Sequence, residues 1–144
     1  MAIDLSGMLI DSKKDSEGVR FDLGSKDSGA FIVAARPGNP RAIAEHVRLT
    51  RKHAAELKHG DSLKIESEIT AKVWFRAIFV DWQGIEIRGE EFAYTEENCI
   101  KLFTDPSLDE ICRMFTGIVR AGVENGDFRE FIPTAEESEE IVKN

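Results

Sequence analysis

Three histidines, two cysteines and several paired carboxylates are the side chains with which this chain could do chemistry. His46 and His53 lie seven residues apart, on one face of a predicted helix, and His59 lies beyond. Two imidazoles at that spacing cannot share an ion unaided, and no cysteine or carboxylate at ligand spacing completes a set. They read as polar-face histidines. Cys99 and Cys112 fall in different predicted helices without a nucleophile motif, so reduced, inert thiols are expected. Gly24, Gly29 and Gly38 are followed by no Gly-Lys-Ser/Thr and form no dinucleotide fingerprint. Glu90-Glu91 and Glu96-Glu97 are adjacent pairs, which diverge on a helix or loop rather than converge on a substrate. The expectation is a protein with no enzymatic activity, no cofactor and no metal.

Stepping outward, 144 residues with 42% hydrophobic and 32% charged side chains allow one globular core without staples. The formal net charge of −8 is unevenly divided: residues 1–72 carry +1 and residues 73–144 carry −9. An acidic half repels a phosphate backbone, so nucleic acid is not an expected partner. The chain has no run of about 18 apolar residues and no basic, apolar leader, so neither membrane insertion nor export is expected.

The polar stretch 1–18 reads as a loose arm. Val19–Leu23 and Ala30–Ala35 flank a Gly/Ser/Asp-rich spacer and read as a β-hairpin. After the breaker Pro37-Gly38-Asn39-Pro40, a helix is expected over about 41–59, with Ile43, Val47, Thr50, Ala54 and Leu57 along its apolar side. Asp61 is placed as the cap of a second helix reaching about Val80. From Val73 to Val80 that segment is apolar on nearly every side, and Trp74, Phe75, Ile78 and Phe79 exceed what one small domain is expected to cover. They are therefore the candidate face for self-association or partner binding. Residues 81–89 read as a short extended link. Thr95 caps a third helix and Asp105-Pro106 opens a fourth, which carries Leu108, Ile111, Phe115, Val119 and Gly122. The expected fold is mainly α: about four helices with a small N-terminal β-hairpin arm. The expected organisation is an arm at 1–35, a helical domain at 36–133 and an acidic tail at 134–144.

Trp82-Gln83-Gly84-Ile85, a Gly-Glu loop, Phe92-Ala93-Tyr94-Thr95-Glu96-Glu97-Asn98, Asp105-Pro106-Ser107-Leu108 and a late Phe128 follow in order, behind an upstream Arg36-Pro37-Gly38-Asn39-Pro40. This order resembles the tail assembly chaperones of long-tailed bacteriophages over roughly residues 30–131. Trp82, Gly84, Tyr94, Asn98 and Phe128 are its family-motif positions, read as structural locks at helix junctions rather than ligand contacts. The resemblance implies a mostly helical, self-associating protein of the host cytoplasm, absent from the mature virion. Such a protein coats the tape measure protein and engages the tail tube protein, through a frameshifted longer form in many members. Two other classes stand beside it: a structural tail or connector subunit kept in the virion, and an acidic host-directed adaptor.

Overall fold

The computed structural model describes residues 2–60 and 62–130; the proposed Asp61 cap and the acidic tail lie outside them. Six α-helices and five strands are found among the described residues, so the fold is mixed α/β. The mainly α expectation is thereby corrected.

The chain opens with a 3₁₀ turn at Ser6–Met8 and then a short helix α1 (Ser12–Glu17). The Asp11 carboxylate caps α1 by accepting from the backbone N–H groups of Lys13 and Lys14. Strands β1 (Val19–Asp22) and β2 (Phe31–Ala34) form the expected antiparallel hairpin, with Phe21 opposite Ile32. It is not a peripheral arm. Ile32 and Ala34 are fully buried, because β2 also pairs with β3 (Phe79–Gln83), placing Ile32 opposite Trp82 in a three-stranded sheet ordered β1-β2-β3.

Strand β3 is where the expected second helix fails. Helix α4 (Ser62–Val73) runs into a single wide π turn, Trp74–Ile78, in which the Phe79 N–H donates to the Trp74 carbonyl, and the chain then extends. A run of consecutive apolar residues has no helical side to keep dry, so it is equally suited to a strand buried on both faces. Pairing with β2 decides the matter, and the Ala35 N–H bond to the Ile78 carbonyl (2.7 Å) anchors the exit from the turn.

The expected helix over 41–59 is two helices, α2 (Pro40–Lys52) and α3 (Ala54–Leu57), separated at His53. The link at 81–89 folds into a second small hairpin, β4 (Glu86–Ile87) and β5 (Glu90–Glu91), turning on Arg88 and Gly89, both at positive φ. Helix α5 (Glu96–Thr104) starts at Thr95, whose hydroxyl accepts from the Asn98 N–H, and its first turn carries Glu96 and Glu97 at the positive dipole end. After a 3₁₀ turn at Pro106–Leu108 comes α6 (Asp109–Glu124). The core lies between the sheet and α4, α5 and α6, around Trp82, Phe79, Phe115, Val119 and Leu102. The N-terminal segment pairs with the stretch that follows α6: the Asp11 N–H donates to the Phe128 carbonyl and the Glu130 N–H to that of Leu9, both at 2.9 Å.

Candidate functional site

The aromatic motif residues converge on one interior cluster. Trp82 is 1% exposed, stacks on Phe92 at 5.6 Å and meets Tyr94 and Phe115 edge-on. Its indole N–H donates to the Phe92 carbonyl at 2.7 Å, which ties β3 to the segment entering α5. The Tyr94 hydroxyl lies 3.1 and 2.9 Å from the carbonyls of Phe75 and Phe79, closing the backbone at the exit of the π turn. Burial pushes the Tyr94 phenol up to about 12, since an ionised phenolate would lose its hydration there. Asn98 donates from its side chain to the Ala93 carbonyl (2.8 Å) at the start of α5. Phe128 is buried beside Phe21. Gly84 has φ +75°, and a Cβ there would sit 2.7 Å from the Gly29 carbonyl oxygen, so β3 leaves the sheet against the first hairpin's turn only with glycine.

The proposed contact face formed by Trp74, Phe75, Ile78 and Phe79 requires correction. Trp74, Ile78 and Phe79 are nearly fully buried in the chain's own core, and Phe75 is half-buried against Tyr94 at 4.8 Å. The reason is the packing around the helix end: Trp74, Phe75 and Ile78 lie in the π turn and Phe79 starts β3, and Trp74 and Phe79 meet Phe103, Trp82 and Phe115 there. Val80 is the apolar residue of this run that stays outside.

Exposed apolar surface lies instead on α2. Only Ala42 and Leu49 of that helix are buried, while Ile43 and Val47, on the stripe expected to face inward, are 58% and 40% exposed. They border a groove of about 360 Å³ shared with Pro37, Val73, Trp74 and Arg120. The Arg120 guanidinium lies 5.7 Å from the centre of the Trp74 ring, so α6 closes one wall of the groove with a cation over an aromatic floor. Trp74 and Ile78 thus reach this surface, but as its floor.

The groove sits in a basic environment within an acidic protein. Residues 36–59 carry a net +4, against −8 for the whole chain. Arg41, Arg48, Arg51 and Lys52 all point outward from α2. Glu45 is the helix's one acid; Arg48 and Arg76 bind it, and their hydrogen bonds and charge hold its carboxyl down at about 2. Arg76 also bridges to Glu96 at 2.8 Å, linking α2 through the π turn to α5.

Chemistry at the remaining candidates is subdued. Cys99 and Cys112 are both free thiols. Burial pushes the Cys99 thiol far up and the Cys112 thiol up to about 11, so both stay protonated at neutral pH. His46 lines the groove and His53 contacts Glu56 at 3.0 Å. Among the described residues no three His, Cys, Asp or Glu side chains gather where they could hold a metal ion, and no helix is long and apolar enough to cross a membrane.

The family described as YdaY prophage protein matches residues 38–144, about three quarters of the sequence. The chain belongs to the YdaY prophage family. No curated protein and no solved structure matches it. The YdaY match starts at Gly38, so it takes in α2, the π turn, β3 and α6, and with them most of the groove, while the N-terminal segment and the first hairpin precede it. Periodicity in the sequence located the stripe of α2 but not its exposure. The unusual basicity of residues 36–59 was the signal that could have marked this helix as an outward-facing surface.

Proposed function

We propose that this prophage protein is a non-enzymatic tail assembly chaperone, acting in the host cytoplasm and missing from the mature virion. Its partners on this reading are the tape measure protein and, through a longer frameshifted form, the tail tube protein. The observation that carries the reading is the ordered set Trp82-Gln83-Gly84, Tyr94, Asn98, Asp105-Pro106 and Phe128, which falls within the stretch matched by a prophage family. Two surface properties support it. An apolar stripe on an exposed helix offers the i, i+4 anchors on which another chain can pack, as a self-associating coat protein needs. The excess of carboxylates elsewhere keeps a protein soluble while it handles an apolar client.

Deletion from an inducible lysogen tests the reading. The expected result is filled heads without tails, restored by the protein supplied from a plasmid, with the protein present in the lysate and missing from purified particles by mass spectrometry. Normal tails without the protein, or stoichiometric amounts of it in particles, would overturn the proposal.

A further inference from the structure

Among the described residues two apolar surfaces lie open. The first is the segment 2–10, Ala-Ile-Asp-Leu-Ser-Gly-Met-Leu-Ile, in which Ile3, Leu5, Met8 and Leu9 are 84%, 62%, 60% and 53% exposed. Among the described residues before Val19 none is buried, so the segment contributes almost nothing to the core of its own subunit. Four large apolar side chains within seven residues are more than scattered surface exposure accounts for. The second surface is the groove between α2 and α6, with Ile43 and Val47 on its rim and Trp74 in its floor.

We infer that the N-terminal segment of one copy occupies the α2/α6 groove of a second copy, so that two chains exchange arms reciprocally. Both ends of the contact are placed for it. The arm is anchored at Asp11 and Leu9 to Phe128 and Glu130 beyond α6, and α1 after it is fixed beside the start of α2, through the Asp15–Arg36 pair and the Arg41 bond to the Ser16 carbonyl (2.8 Å). From that anchor the seven residues 2–8 reach about 24 Å when extended, enough to cross to a neighbour packed alongside. The charges match as well. Asp4 is the arm's one ionisable side chain, and Arg120 in the groove makes no salt bridge among the described residues. The size is near what is needed: seven free arm residues and ten groove residues on each copy come close to the roughly 20–30 a side of a stable interface, and two-fold symmetry makes every contact twice. A single arm folded onto its own groove lacks that doubling.

Sedimentation and light scattering on the full chain test the inference. A dimer is expected, becoming a monomer that still unfolds cooperatively when residues 2–10 are removed, and again in Val47→Glu, with Ile43→Glu as the second groove variant; the monomer's melting temperature should be lower than the dimer's and independent of concentration. The arm-less chain and Val47→Glu, each monomeric, are expected to form a weaker mixed dimer, because together they hold one intact arm and one intact groove. A wild-type monomer up to the solubility limit, a dimer that survives loss of the arm, or mixed chains that stay apart would each overturn it. If the wild type is monomeric and Val47→Glu abolishes binding to a tape measure fragment, the groove takes the client: arm exchange is then wrong and the chaperone reading stands.

Discussion

Helix α6 carries two glycines for which the same substitution should have opposite signs. At Gly117 a Cβ meets nothing within 4 Å and the position is exposed, so Gly117→Ala gains only the helix preference of alanine, about 1 kcal/mol. Gly122 is buried where α6 crosses the first hairpin. A Cβ there would sit 2.5 and 2.7 Å from Cε1 and Cζ of Phe21, whose ring is backed by Phe128 at 6.1 Å. Restoring ordinary contact means moving that ring by about 1 Å, an overpacking cost of about 1–3 kcal/mol that outweighs the helix gain. Gly122→Ala should therefore lose about 1 kcal/mol net, and the two variants should melt on opposite sides of the parent, each about 3 °C from it. Urea unfolding followed by circular dichroism at 222 nm measures both, with unchanged m-values as the check on two-state behaviour. The cause is isolated by Phe21→Ala: in that background Gly122→Ala should turn stabilising, a coupling of about 2 kcal/mol. A Gly122→Ala protein as stable as Gly117→Ala, or one whose loss persists without the Phe21 ring, would refute the packing of α6 on β1.

Two further perturbations address the π turn. Asn39 is 1% exposed; its side chain caps α2 by accepting from the Ala42 N–H (3.1 Å) and donates to the carbonyls of Arg36 and Ala77 at 2.7 and 2.8 Å. Asn39→Ala removes the cap and strands the buried Ala77 carbonyl, while the Arg36 carbonyl keeps the Asn39 backbone N–H; the expected loss is about 2–4 kcal/mol, of which Asn39→Ser should recover about 1 by restoring the cap, and equal stability of the two variants in urea would contradict this. Tyr94 is the only tyrosine in the chain, so its ionisation can be followed directly by ultraviolet absorbance. The midpoint is expected at about 12, against about 10 for an exposed phenol. Because the folded state favours the protonated form, the associated stability is complete below pH 10 and is lost as pH rises from 10 to 12. A midpoint near 10 in protein still folded by circular dichroism would show that the ring is not held against the π turn.

Much of the architecture was legible because its signals are local. Thr95 and Asp105-Pro106 announce α5 and the turn into α6 by cap chemistry that acts over three residues, and the Gly/Ser/Asp spacer announces the first hairpin. The switch from α4 to β3 was not legible. Val73 to Val80 carries no periodicity to distinguish helix from strand, and the deciding partner, β2, lies about 45 residues earlier. The misplaced contact face has the same origin: Trp74, Phe75 and Ile78 lie in the π turn and Phe79 in β3, and the elements that bury them gather there through long-range pairing that the local sequence does not announce. On α2 the difficulty was different: periodicity gives the direction of the Ile43/Val47 stripe, but whether another element covers it depends on the whole fold.

Co-expression with the tape measure protein of the same prophage, divided into overlapping fragments, tests the central claim most directly. The account predicts that insoluble fragments become soluble and co-purify with this chain. Fragments that stay insoluble along the whole length of the tape measure protein, or that dissolve equally well with an unrelated acidic protein, would contradict it.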